Sequence, residues 1–211
     1  MNQIESQMNK LRLQGMAKSW SALLHSRKNH ELSLQDGLEL LLQAEEEERD
    51  NRRFQRLQHS AAFRYKTSLE EISLDAARGL DKNVIASLST CSFISKGDAI
   101  LITGATGCGK SYLASALGHQ ACLLGFKVAY FNTQKLLLKT KMARLEGTIL
   151  KLMDKLSKTE LIILDDFGLT HFEKQQQMDF MEIIEDRHGK MATIIVSQLP
   201  VPSWYDVIGE E

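Results

Sequence analysis

The run Gly104-Ala105-Thr106-Gly107-Cys108-Gly109-Lys110-Ser111 has the spacing G-x-x-x-x-G-K-[ST]. A loop of this kind curls around a phosphate with consecutive backbone N–H groups pointing inward. Gly104 and Gly109 permit an approach that a Cβ would obstruct. The apolar AILIT precedes the loop and YLASALGHQACLL follows it, the expected strand–loop–helix context. That helix aims its positive end at the same anion. Lys110 is placed to reach β- and γ-phosphates and the Ser111 hydroxyl to ligate Mg²⁺. Gly104, Ala105, Thr106, Gly107, Cys108, Gly109, Lys110, Ser111 and Tyr112 are therefore the expected ATP-binding residues. A glycine-rich turn with an exposed lysine is the plain alternative.

A second group lies in Glu160-Leu-Ile-Ile-Leu-Asp165-Asp166-Phe-Gly168. An apolar strand ending in carboxylates delivers them to the edge of an open α/β sheet where ligands bind. Asp165 is expected to hold Mg²⁺ through water, and Asp166 to orient or deprotonate an attacking water. Capping of the next helix is the alternative role. A third strand-like run, ATIIVSQ, ends in Ser197 and Gln198; Gln198 is expected to face the γ-phosphate or the water, unless the strand merely ends in polar residues. Lys110, Asp165, Asp166 and Gln198 form the expected catalytic set.

These groups need a scaffold. Short apolar runs at 99–103, 128–131, 161–164 and 193–196 alternate with helical stretches near 109–124, 134–158 and 175–188, which predicts βαβ units and a parallel sheet. Upstream, residues to about 66 read as helical throughout, with Leu11, Leu13, Met16, Trp20 and Leu24 at helical spacing and Ser33/Asp36 as a helix start. The expected organisation is a helical DNA- or partner-binding region at 1–66, a helical connector at 67–96 and a P-loop domain at 97–211. The long second helix changes sign, from Glu45–Glu48 to Arg49, Arg52, Arg53 and Arg56, with Arg64 and Lys66 extending the basic end. Two readings stand: a solvated helix with Glu45–Arg49 and Glu48–Arg52 pairs, or a patch for phosphate backbones or an acidic partner. Arg144 and Arg187 read as surface arginines.

The chain has 211 residues, 43% hydrophobic and 25% charged, with a net charge of −1. Bulk attraction to nucleic acid is thereby excluded; any such contact needs a local patch. Three cysteines without metal-type spacing support neither a disulfide framework nor a zinc site. The polar N-terminus and the lack of a long apolar run exclude a signal peptide and a membrane span, so the cytoplasm is expected.

From about residue 8 onward the sequence resembles the IstB-like ATPases, transposition helper proteins of insertion sequences and relatives of the DnaC-type helicase loaders within the AAA+ superfamily. The resembling segments are EEERDNRRFQRLQHSAAF, GATGCGKSYLASALGHQACLLGFKVAYFN, ELIILDDFGL, EIIEDRHG and ATIIVSQLPVPSWYDVIGE. The resemblance implies an AAA+-type parallel sheet flanked by helices. It also implies ATP hydrolysis coupled to homo-oligomer assembly on duplex DNA and stimulation of a transposase. It gives Gly104–Ser111 the Walker A role, Asp165 and Asp166 the Walker B role and Ser197–Gln198 a sensor role. Many AAA+ proteins carry glutamate where Asp166 stands.

Beyond the SQLP-x-x-x-W-x-x-x-x-G-E segment the family carries an Asp-Arg pair supplying a trans-acting arginine finger, a further strand and a basic tail. The sequence stops at Glu211. The expectation is therefore a P-loop domain lacking its C-terminal end, with 99–103 at an unpaired edge and hydrolysis weakened by roughly 10³ to 10⁵. The alternatives are a DnaC-like loader acting on a replicative helicase, a nucleotide-binding remnant, and a small P-loop kinase, for which neither lid nor acceptor site is visible.

Overall fold

A computed structural model describes residues 3–26, 32–73 and 79–208. Part of the expected connector (74–78) and the terminal Gly209, Glu210 and Glu211 lie outside the described residues. The chain divides into two compact units, Met1–Arg56 and Leu57–Glu211.

The first unit contains α1 (Gln3–Lys10), α2 (Gln14–His25) and most of α3 (Leu34–Ala61). Helical spacing continues through residues 8–24, but the backbone breaks at Arg12, whose φ of 61° no helix accommodates. The Ser33 hydroxyl accepts from the Asp36 amide at 3.2 Å, so the expected cap opens α3. α2 begins on α3: Gly15 and Met16 donate their amides to the Glu45 carboxylate at 2.7 and 3.3 Å. An added Cβ at Gly15 would stand 2.2 Å from the Ala44 carbonyl oxygen, so only glycine allows the approach. Burial pushes the Glu45 pKa up, but Arg49 and the two amides outweigh it and hold the carboxyl below its usual range.

The second unit is a four-stranded parallel sheet in the order β1-β4-β3-β2, comprising β1 (Ala99–Thr103), β2 (Val128–Asn132), β3 (Leu161–Phe167) and β4 (Ala192–Ser197). β3 and β4 are central and covered on both faces, hence their unbroken apolar runs. Among the described residues β1 stands at one edge, with Leu101 exposed. After α4 (Lys82–Ser89) and α5 (Ser92–Lys96), α6 (Lys110–Leu123) carries the phosphate loop's continuation and buries Ala114, Ala116, Leu117 and Ala121. On the other side Phe167, Phe172, Phe180 and Trp204 form an aromatic cluster with the α9 helix (Lys174–Arg187).

Two expectations need correction. The helical stretch predicted over 134–158 is two helices, α7 (Thr133–Leu145) and α8 (Ile149–Ser157), because Gly147 turns the chain at φ 68°. Arg187 is buried, not superficial. Its guanidinium donates to the Leu156 and Thr159 carbonyls at 2.5 and 2.7 Å, to the Ala192 carbonyl, and to the Thr193 hydroxyl at 3.1 Å. It thus ties together carbonyls from the last turn of α8, the loop that follows it and the start of β4. Arg144 is a surface arginine only in part, since it pairs with the buried Asp179.

Candidate functional site

β1 feeds the phosphate loop, and α6 starts at Lys110 after Gly109, at φ 95°, has turned the chain. Gly104, at φ 154°, would bring a Cβ within 3.2 Å of Cys108 Sγ. Lys110 Nζ donates to the loop's own carbonyls, Gly104 at 2.8 Å and Ala105 at 2.7 Å. Thr106 reaches across the loop mouth and donates to Gln198 Oε1 at 2.6 Å.

The β3 strand ends beside this loop. Ser111 donates to Asp165 Oδ1 at 2.9 Å, and Asp165 is buried. Tyr130 donates its phenolic proton to Asp165 Oδ2. Burial and this carboxylate hold the phenol well above its ordinary pKa range, which keeps it a donor. Asp166 follows at φ 58°, where the β3–β4 register slips, and its amide is held by Asp165 Oδ1 at 2.9 Å. A bulge with a left-handed non-glycine residue re-aims a side chain at a site. Here it turns the Asp166 carboxylate to Asn132 Nδ2 at 2.9 Å and Arg64 Nη1 at 3.1 Å.

Most of the expected residues therefore converge, while Gly104 and Ala105 line neither the cleft nor its neighbour. Thr106, Gly107, Gly109, Lys110, Ser111, Tyr112, Asp165, Asp166 and Gln198 line one cleft of about 470 Å³, with Arg64 and Tyr65 on its wall. An adjoining hollow of about 190 Å³ shares Gly109, Lys110 and Tyr112 and adds Cys108, Ile72, Leu80, Ile102 and Leu113. Ser197 lines the cleft, but its hydroxyl is engaged by the Phe167 carbonyl and the Leu199 amide, at 2.9 and 3.0 Å.

One of the two readings of the charge run joins Arg49, Arg52, Arg53, Arg56, Arg64 and Lys66 as a single patch. Arg49 pairs with Glu45 at 2.8 Å, and Arg52 with Glu45 and Glu48, so the solvated-helix pairs are present. Arg53 and Arg56 are exposed on the same helix and Lys66 is exposed beyond it. Arg64 instead belongs to the cleft. Sequence reasoning missed Arg64's place there, and also Tyr130 and Asn132. Asn132 was findable: it ends β2 in register with Asp165, as a polar residue at the same sheet edge.

The Ser111 hydroxyl and the Asp165 carboxylate, adjacent hard oxygen donors at the loop's helix start, fit a magnesium ion. Among the described residues no cluster of His, Cys, Asp and Glu suited to a resident metal occurs, and no helix is long and apolar enough to cross a membrane.

The fold is that of AMPPCP-bound DnaA from Aquifex aeolicus, with a TM-score of 0.61 and 23% identity over 69% of this chain and 46% of that one. It is also that of the DnaC helicase loader, with a TM-score of 0.54 and 19% identity over 67% of this chain and 82% of that one. The chain thus spans less than half of the DnaA molecule. A Pseudomonas fluorescens protein of insertion sequence IS1162, named for ATP binding, is 38% identical over 196 residues, 92% of this chain and 85% of the relative. The pattern of the IstB-like ATP binding protein family matches residues 6–211. With the phosphate loop and the paired aspartates in one cleft, the chain belongs to the IstB-like ATP binding protein family.

Proposed function

We propose that this chain hydrolyses ATP as a helper of insertion-sequence transposition, assembling as a homo-oligomer on duplex DNA and stimulating a transposase. The observation that carries the nucleotide reading is the 2.9 Å contact between Ser111 and Asp165, made where Lys110 and the loop glycines leave room for phosphates. Membership of the family and the insertion-sequence relative support the transposition role.

In this reading the loop amides and Lys110 grip the β- and γ-phosphates. The hollow beside Ile72, Leu80 and Leu113 receives the base. Ser111 and Asp165 would hold Mg²⁺, which would offset negative charge on the polyphosphate. Asp166 orients the attacking water and accepts its proton. The water oxygen then bonds to the γ-phosphorus as the bridging bond breaks, and its electron pair leaves with ADP. Asn132 fixes the Asp166 carboxylate from the side of β2. Gln198, held by Thr106, stands at the far wall of the cleft near the γ-phosphate. The exposed cations Arg49, Arg53, Arg56 and Lys66, with the half-buried Arg52, supply the DNA contact, and Arg64 stays with the cleft.

Steady-state ATP hydrolysis with and without duplex DNA, beside Lys110→Ala, tests the reading. DNA-stimulated turnover that the variant loses is the expected result. Turnover persisting in Lys110→Ala would sink it. Reversing charge at Arg52, Arg53 and Arg56 should weaken duplex affinity at moderate salt, and unchanged affinity would remove the patch.

A further inference from the structure

Arg64 lies outside every phosphate-binding motif of the sequence, in the segment that leaves α3. Ala62, at φ 57°, ends that helix. Phe63 then packs edge-on against Tyr130, ring centroids 6.2 Å apart, and fills the place of any side chain at Gly118, where a Cβ would stand 2.5 Å from its ring. Tyr65 leans on Tyr112 at 6.0 Å. With both neighbours seated, Arg64 projects into the cleft. Its Nη1 lies 3.3 Å from Asp165 Oδ2 and 3.1 Å from Asp166 Oδ2, so one nitrogen serves both carboxylates. The arginine side chain is 47% exposed while that of Asp165 is 1% exposed. The acid is enclosed, while about half of the cation faces solvent.

An ionised carboxylate held away from solvent is costly unless donors and a positive partner offset its charge. Arg64 sits at Asp165 Oδ2 and the metal position lies at Oδ1 beside Ser111, so two cations on this one carboxylate would stand close enough to repel strongly. We propose that Arg64 is the exchangeable counter-ion of the Asp165–Asp166 pair: it bridges both acids and offsets one of their two charges before the metal–nucleotide complex arrives, and yields its place to magnesium when that complex binds. The proposal rests on the reading of this cleft as a magnesium–ATP site. Arg64 thereby has two effects. It spares an incoming polyphosphate the repulsion of two bare carboxylates. It also pins Asp166 by a charged hydrogen bond, so that Asp166 is released to act on water only once the metal has taken over.

Affinity for a non-hydrolysable ATP analogue, measured by calorimetry in Mg²⁺ and again in EDTA, tests this on the full chain. In Arg64→Gln the ratio of the two affinities should rise about tenfold or more. Metal-free nucleotide then meets uncompensated acids, and the metal meets no competitor. Arg64→Lys keeps the charge and should stay within about threefold of the unaltered ratio. A merely structural role would weaken both affinities alike, so an unchanged ratio in Arg64→Gln overturns the proposal, as does a lysine variant that behaves like the glutamine one. Arg64→Ala, which introduces no new polar group, repeats the measurement should the glutamine variant fail to fold. Lys110→Ala separates the two levels. If it loses the analogue while the Arg64→Gln ratio stays put, only this proposal falls. If it binds as well as the unaltered chain, or if that chain binds nothing in Mg²⁺, the nucleotide reading falls and this proposal with it.

Discussion

Ser111 and Asp165, 54 positions apart, meet through a hydrogen bond of 2.9 Å from Oγ to Oδ1, joining the first turn of α6 to the end of the central strand β3. This bond defines where a divalent ion would sit. Ser111→Ala and Asp165→Asn should therefore keep most nucleotide affinity in EDTA and lose the gain that Mg²⁺ confers, by about tenfold to a hundredfold, since each removes one hard oxygen ligand. Calorimetry with an ATP analogue in both conditions checks it. The direction is opposite to that expected for Arg64→Gln.

The Arg144–Asp179 pair predicts a pH dependence of stability. Burial pushes the Asp179 pKa up, but hydrogen bonds from Arg144, Thr140 and Gln175 outweigh it and hold the carboxyl below its usual range. A depressed folded-state pKa means a contribution that is full above the unfolded value, about 3.9, and lost as pH falls through the folded one. Arg144 is 36% exposed, so removing it should cost about 2 kcal/mol, below the ~3–5 kcal/mol of a fully buried pair. In urea at pH 7, Arg144→Met should unfold earlier than the unaltered chain, and the gap should shrink below pH 4. A constant gap would show that the loss is packing alone.

Gly15→Ala should loosen the first unit. The added Cβ would lie 2.2 Å from the Ala44 oxygen and 2.6 Å from Glu45 Cα, so α2 must retreat from the Glu45 carboxylate that caps it. The lost cap and displaced helix should cost about 2 kcal/mol or more. Hydrogen exchange should accelerate in residues 14–25 while ATP affinity is preserved. Unchanged protection there would contradict the docking described above.

Thiol labelling should separate the three cysteines. Cys91 and Cys122 are buried, which pushes their thiols up to about 11 and about 12. Cys108 is exposed on the phosphate loop, within 3.8 Å of Lys110 Nζ. One thiol per chain should react quickly with a disulfide reagent, the other two only on unfolding. Bound nucleotide should slow the fast reaction, and the labelled protein should bind ATP poorly.

The strands and the phosphate loop were legible because they are local: apolar runs of four to seven residues, and a glycine spacing that permits one backbone path. Asp165 and Asp166 were legible as the acidic end of such a run. What surrounds them was not. Arg64 is 101 positions from Asp165, and the charge run containing it pointed equally to a solvated helix or a nucleic-acid surface. Tyr130 alternates within β2 as an ordinary core residue would. Arg187 carried no signal of burial, since its partners are backbone carbonyls, which every sequence possesses. Helix breaks at Arg12 and Gly147 depend on single left-handed residues; Gly147 could have been read, Arg12 could not.

The strand order also fixes a sequence of events. Thr103, the residue that opens into the phosphate loop, lies in register with Ser197 of β4, and β1 pairs with no other strand among the described residues. As the chain leaves the ribosome, β1 must therefore wait for β4, its partner among the described residues, and about ninety residues of intervening structure are made before the loop has a frame to hold it. Such a long-range closure slows folding and leaves an apolar strand uncovered in the meantime. The nucleotide site is completed late, by the arrival of β4, and a nascent chain halted before that strand would carry the whole phosphate-binding sequence without the sheet that shapes it.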